Sequence, residues 1–190
     1  MSNSKKIAQT SIKKNYIYNT IYQVLSLITP LITAPYISRV LGSSGVGIYS
    51  YTNSIVTYFT LFAALGTASY GQREIAMHRN DSKASSKLFW EIEFLSITTT
   101  AVSLIIWLIW ICVSTQYTAV YGVLTLSVLA VAFDISWYFG GFEKFKYLVI
   151  RNTMVKIIGV ALLFLFVKKE PDILFYVCIM ADPGLIGTFS

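Results

Sequence analysis

Residues 134–156 have the sequence DISWYFGGFEKFKYLVIRNTMVK, which joins the end of one apolar run to the start of the next. Asp134 lies inside the first run, and Arg151 and Lys156 lie inside the second, with a short polar turn at residues 140–146 between them. Ionisable groups in the hydrocarbon layer cost roughly 2.5–3.5 kcal/mol each on insertion scales, so they usually face a partner or a wet cavity. This stretch is therefore the strongest candidate for a functional interior.

The composition is that of a helical membrane protein. Of 190 residues, 55% are hydrophobic and 13% are charged, and the mean hydropathy is +0.63. A soluble domain carries about 25% charged residues. The net charge of +6 does not indicate nucleic-acid binding, because the basic residues cluster at the ends of apolar runs and not along one polar face. We therefore expect a lipid bilayer, and no nucleic acid, as a partner.

Six apolar runs are long enough to be membrane spans, since about 20 apolar residues cross a bilayer. The runs cover about residues 15–38, 46–66, 88–112, 118–139, 147–167 and 173–181 onward. We expect an all-α, polytopic transmembrane bundle over residues 15–181, after a basic cytoplasmic segment at residues 1–14. Residues 182–190 begin with Asp-Pro-Gly, which interrupts the sixth run, so we expect a truncated or altered end there.

The distribution of positive charge predicts the orientation. With a cytoplasmic N-terminus, the inner segments at residues 1–14, 72–88 and 140–151 hold eleven Lys and Arg residues. The outer turns hold three: Arg39, Lys168 and Lys169. Cytoplasmic loops carry an excess of Lys and Arg, so the N-terminus is predicted to be cytoplasmic.

Two interpretations of the charges in the apolar runs remain open. Counted from the inner turn at about 1.5 Å per residue, Asp134 lies at a level between Arg151 and Lys156. One interpretation is a buried Asp–Lys or Asp–Arg pair that fixes two helices. The other is a cationic lining for an anionic substrate, with Asp134 tuning or releasing the cation. For Arg151, snorkelling to the inner headgroups is a third option.

Other polar groups give weaker signals. Glu91 and Glu93 lie near the start of the third run, where we expect them to pair with Arg79 or Lys87. Two residues apart on a helix, they do not converge on one substrate. No nucleophile–base set, metal cluster or phosphate loop is evident, so we do not expect an enzyme or a bound cofactor.

The two cysteines, Cys112 and Cys178, lie in apolar runs without metal-ligand spacing. Free cysteine behaves as a small hydrophobe, so we expect buried thiols and no metal.

Several blocks of sequence resemble a known family. They are Asn15 and Tyr16 with Gln23, Pro30 and Pro35; RVLGSSGVGIY at 39–49; Leu65 and Gly66; YGQREIA at 70–76; and DISWYFGGFE at 134–143. In this order and spacing they resemble the N-terminal half of the polysaccharide-unit flippases, the Wzx-type branch of the MATE-like (MOP) exporter superfamily.

The resemblance implies the N-terminal six-helix lobe of a MATE-like fold in the inner, cytoplasmic membrane. Such a transporter moves an undecaprenyl-diphosphate-linked oligosaccharide to the outer leaflet by alternating access, driven by an ion gradient. The oligosaccharide serves O-antigen, lipopolysaccharide or exopolysaccharide biosynthesis, with a polysaccharide polymerase and chain-length proteins as further partners. The alternatives are a MATE-like drug or cation exporter and a non-functional truncated fragment of the flippase.

The resemblance also implies roles for individual residues. The substrate-binding cations of the cavity would be Arg39, Arg73, Arg151 and Lys156. Asp134 would be the matching acid, acting in ion pairing or in coupling.

Overall fold

The computed structural model describes residue 20, residues 23–142 and residues 145–181. Within these residues the regular elements are helices. They are α1 (residues 23–40), α2 (Gly42–Ala64), α3 (Thr67–Met77), α4 (Ser82–Val113), α5 (Thr118–Val131), α6 (Ser136–Gly141), α7 (Phe145–Phe166) and α8 (Ile173–Met180), with a short 3-10 turn at Glu170–Asp172. The segments predicted at residues 1–14 and 182–190 lie outside the described residues.

Three helical stretches are long and apolar enough to cross a membrane: Ser82–Val113, Thr118–Gly141 and Lys146–Phe166. They correspond to the predicted third, fourth and fifth spans, and they confirm an all-α, polytopic bundle. The remaining three predicted spans stay predictions.

The helix α4 begins at Ser82, earlier than the predicted third span. The carboxylate of Asp81 accepts hydrogen bonds from the backbone N–H groups of Lys83 and Ala84, at 3.0 and 3.1 Å. Such an N-cap satisfies donors that a helix start leaves free. The inner segment predicted at residues 72–88 is therefore mostly helical, with only a short turn between α3 and α4.

Two of the long helices are interrupted. Leu65 and Gly66 take left-handed backbone conformations, with φ of 41° and 73°, and separate α2 from α3. Residues 132–135 separate α5 from α6, so the helix predicted over 118–139 is not continuous. Beyond these interruptions, α3 and α6 pack closely against each other.

The main core lies where α2 packs against α4 and α5. The hydroxyls of Thr99 and Ser103 on α4 donate to the backbone carbonyls of Ala63 and Phe59 on α2, at 2.7 and 2.8 Å. Small polar side chains of this kind let membrane helices approach closely and bond to each other.

A second cluster joins α1 to α7. Ile37 and Leu41 pack with Leu163 and Val167, and all four are buried. The Tyr36 hydroxyl donates to the Val167 carbonyl at 2.7 Å, which ties the end of α1 to the end of α7.

The outer surface of the bundle carries many exposed, large apolar side chains. Cys112 and Cys178 are both exposed, so the expectation that they are buried is wrong. In a membrane bundle the lipid-facing surface is as apolar as the core, and an apolar run does not distinguish the two sides.

Candidate functional site

Lys156 is buried between α1 and α7. Only 2% of its surface is exposed, and its Nζ atom donates to the Ser26 hydroxyl at 2.8 Å. At 1.5 Å per residue it lies about 16 Å along α7 from Phe145. The structure therefore places this predicted site residue in the interior of the lobe, at the contact between two helices.

Arg151 occupies a different face of α7. Its side chain is exposed, and its Nε atom donates to the Asn152 side-chain oxygen at 3.1 Å. The two cations are five residues apart on α7. At about 100° per residue, their side chains leave the helix axis in directions about 140° apart. Arg151 and Lys156 consequently do not share one lining surface.

Asp134 lies in the link between α5 and α6. Its Oδ1 atom accepts a hydrogen bond from the backbone N–H of Ser136 at 3.0 Å, and its side chain is exposed. Within the described part of the chain, Asp134 forms no ion pair with Arg151 or Lys156. Short acidic side chains readily bond to backbone N–H groups two residues on. Among the described residues, this local bond is therefore formed instead of the Asp–Lys or Asp–Arg pair of the first interpretation.

Arg39 and Arg73 are exposed and lie near opposite ends of α2. Arg39 comes just before this helix, and Arg73 lies on α3, beyond it. The 23 residues of α2 extend over roughly 34 Å. Of the four predicted cavity cations, only Lys156 is buried, and the four do not converge on one point.

Glu93 is a buried acid, and within the described residues it does not form the ion pair with Arg79 or Lys87 that the sequence led us to expect. Only 9% of its surface is exposed. Glu91 behaves as expected: it is exposed and pairs with Lys87 at 3.7 Å. The two glutamates therefore differ in environment, because residues two apart face different sides of a helix.

A spacing in the sequence could have identified Glu93. It begins a series of buried residues on α4 that recur at intervals of three and four: Glu93, Ser96, Thr100, Ser103 and Trp107. Residues at this spacing share one face of a helix. A carboxylate in register with small polar residues indicates a face turned toward neighbouring helices.

The sequence profile of the family described as "Polysaccharide biosynthesis protein" matches residues 12–188. This chain belongs to that family. Membership of this family, together with the three long apolar helices, makes the chain part of a multi-pass membrane protein.

Two curated relatives carry the description "Putative O-antigen transporter". The relative from Escherichia coli (strain K12) is 25% identical over 180 residues, which are 93% of this chain and 43% of that protein. The relative from Shigella dysenteriae is 24% identical over 163 residues, 85% of this chain and 41% of that protein. The chain thus spans about two-fifths of the length of these relatives. No solved structure matches this chain.

Proposed function

We propose that this chain forms the N-terminal lobe of a flippase for undecaprenyl-diphosphate-linked oligosaccharide repeat units. The transporter acts in the cytoplasmic membrane, with its N-terminus in the cytoplasm, and serves the biosynthesis of a surface polysaccharide. The observation that carries the proposal is the buried Lys156 on a membrane-spanning helix, in a family of polysaccharide biosynthesis proteins. The described function of the two relatives supports it.

The chemistry of Lys156 suits the diphosphate of the substrate. Charged residues within spans usually mark substrate or ion pathways, because placing them there is costly. The ammonium group donates a hydrogen bond to the Ser26 hydroxyl, which is a neutral acceptor. Lysine binds phosphate as a compact point charge with three donors. A diphosphate oxygen would be a stronger acceptor for this ammonium group than a hydroxyl, because the oxygen carries negative charge.

The position of Lys156 suggests how access alternates. Its bond to Ser26 crosses the contact between α1 and α7. Movement of α1 away from α7 would expose the ammonium group to a cavity. Arg73 and Arg151 are exposed near the end of the lobe that we assign to the cytoplasm, where they would attract the anionic substrate before entry. Arg39 lies toward the other end and would meet the substrate as it leaves.

Deletion of the complete gene from its host tests this function. We expect the surface polysaccharide to disappear and its lipid-linked precursor to accumulate in the cytoplasmic leaflet, with drug sensitivity unchanged. The measurements are an extraction of lipid-linked sugars, a surface-polysaccharide gel and a panel of growth inhibitors. Normal polysaccharide combined with increased drug sensitivity would refute the flippase and favour a drug or cation exporter.

A further inference from the structure

The two helix interruptions lie at the same level of the lobe. The Trp107 indole N–H on α4 donates to the Thr125 hydroxyl on α5 at 3.0 Å, which aligns these two antiparallel helices. About 12 Å from that bond toward α6, α4 has reached Thr99 and α5 has ended at the link of residues 132–135. Thr99 in turn donates to the carbonyl of Ala63, next to the break between α2 and α3. Both breaks therefore lie in one plane across the bundle, the break plane.

Each break is built with a polar side chain that satisfies the backbone. A break in a helix at membrane depth frees carbonyl and N–H groups, which need new partners where water is absent. At the first break, the Thr67 hydroxyl donates to the Ala64 carbonyl at 2.7 Å. At the second, the Asp134 carboxylate accepts from the Ser136 N–H at 3.0 Å. The neighbouring helix α4 continues through the plane without interruption over 32 residues. Two helices thus have a place to bend beside one that has none.

On the inner side of the break plane, α3 and α6 form one packed body, the α3–α6 unit. A Cβ atom at Gly71 would lie 2.5 Å from Trp137, and one at Gly141 would lie 2.7 Å from Ile75. Glycine on each helix lets the other helix approach more closely than a side chain would allow. Within the described residues, Ile75 and Trp137 belong to a buried cluster that is separate from the two larger clusters of the lobe. We therefore expect α3 and α6 to move together.

The α3–α6 unit contacts α4 through aromatic rings and through Ile92. Phe89 on α4 stacks on Trp137 with ring centroids 5.7 Å apart, and it meets Tyr138 edge-on at 5.0 Å. Aromatic pairs remain favourable over centroid distances of about 4.5–7 Å. A slide of about 1–2 Å between packed helices, a common form of motion, would keep these rings in contact.

Thr100 carries a buried hydroxyl at the break plane, one residue beyond Thr99. Only 2% of its surface is exposed, and within the described part of the chain its hydroxyl has no hydrogen-bond partner. An unpaired buried polar group destabilises the state in which it occurs. The last carbonyls of α2 and α5 lack partners within their own helices. Thr100 is thus a donor at the level where two helices end in acceptors.

We propose that the α3–α6 unit is a gate at the inner end of the lobe, hinged at the break plane, an inference that rests on the flippase function proposed above. During transport the unit swings as one body, with bending at residues 65–66 and 132–135, and slides along α4. In the moved state the Thr100 hydroxyl donates to a carbonyl at the end of α2 or α5. This gate is separate from the contact between α1 and α7 that Lys156 crosses.

Distances between spin labels test the gate in the full-length transporter, held in lipid nanodiscs and with its native cysteines replaced. One pair crosses the break plane, from Tyr58 on α2 to Met77 on α3. The matched controls are Tyr58 with Leu126 on α5, outside the unit, and Met77 with Phe139, within it. Tyr58, Met77 and Leu126 are exposed and Phe139 is half-buried. The measurement is double electron–electron resonance before and after addition of lipid-linked oligosaccharide extracted from the deletion strain.

For the crossing pair we expect two populated distances, several ångströms apart, and a change in their ratio when the oligosaccharide is added. Each control pair should keep one distance. A single, unchanged distance for the crossing pair would overturn the proposal, and so would two distances for either control. An unaltered protein that does not translocate the oligosaccharide refutes the proposed function instead. Two distances for the crossing pair alone would then still support the hinge.

Thr100→Val tests the bond of the moved state. Valine has nearly the same shape and removes a hydroxyl that has no partner among the described residues. We expect the melting temperature to stay unchanged or to rise, and translocation in vesicles to fall about fivefold, the factor expected for the loss of one hydrogen bond. Thr100→Ser, which keeps the hydroxyl, and Thr98→Val, at an exposed position on the same helix, should translocate normally. A normal rate in Thr100→Val, or a lower melting temperature without a lower rate, would contradict this role of Thr100.

Discussion

Gly71→Ala is expected to separate α3 from α6, because the added methyl group has no room. The new Cβ would lie 2.5 Å from Cε3 and 2.9 Å from Cδ2 of Trp137. Ordinary van der Waals contact begins at 3.4 Å, so the ring or the helix must move by about 1 Å. The indole cannot retreat easily. It is buried, and it stacks on Phe89 with ring centroids 5.7 Å apart.

The expected loss of stability is the difference between two effects. Overpacking a well-packed core costs about 1–3 kcal/mol. Alanine gains about 1 kcal/mol over glycine in a helix. Because the Trp137 ring is buried and stacks on Phe89, the cost lies toward the upper end. The net destabilisation of Gly71→Ala is therefore about 2 kcal/mol.

The assay is the melting temperature of the full-length protein in detergent, followed by size-exclusion chromatography of a fluorescent fusion after heating. Gly47→Ala and Gly122→Ala are matched controls, since a Cβ at either helical position meets no atom within 4 Å. They should be as stable as the unaltered protein or slightly more stable. Gly71→Ala should melt several degrees lower. If Gly71→Ala has the same melting temperature as the two controls, the close packing of α3 on α6 is wrong.

Two further substitutions test local contacts. Thr125→Val removes the acceptor of the Trp107 indole N–H, a 3.0 Å bond, and should cost about 1–3 kcal/mol because the donor is buried. Thr98→Val is the control in the same melting assay, because the Thr98 hydroxyl donates to the Phe94 carbonyl of its own helix. Equal losses of stability in Thr125→Val and Thr98→Val would contradict the account. Asp81→Ala should cost about 1 kcal/mol by removing the cap of α4. Hydrogen exchange at the first turn of α4 should increase, and unchanged exchange would show that the cap is not needed.

The general architecture follows from the sequence because apolar length is what a bilayer requires. The three spans that contain Trp107, Asp134 and Lys156 were located from composition alone. The break at residues 132–135 was not, because alanine, phenylalanine and isoleucine around Asp134 continue the apolar pattern. A helix can end inside an apolar run when a side chain such as Asp134 bonds to the backbone.

The candidate site was predictable in part. A lysine in an apolar run identified Lys156, and the structure buries it. Its partner was not predictable, because depth along two antiparallel helices does not fix their rotation about their own axes. Asp134 and Lys156 lie at similar predicted levels, yet they bond to Ser136 and Ser26. The burial of Glu93 was missed because it was treated together with Glu91 as part of a helix start.

The most direct test of the account is polysaccharide export by Lys156→Gln in the full-length protein, expressed in the deletion strain. We expect this variant to reach the membrane in normal amounts and to lose export by roughly tenfold or more. Lys156→Arg, which keeps the charge, should retain part of the export. Lys146→Gln, an exposed lysine on the same helix, should retain all of it. Normal export by Lys156→Gln would contradict the claim that this buried cation receives the substrate.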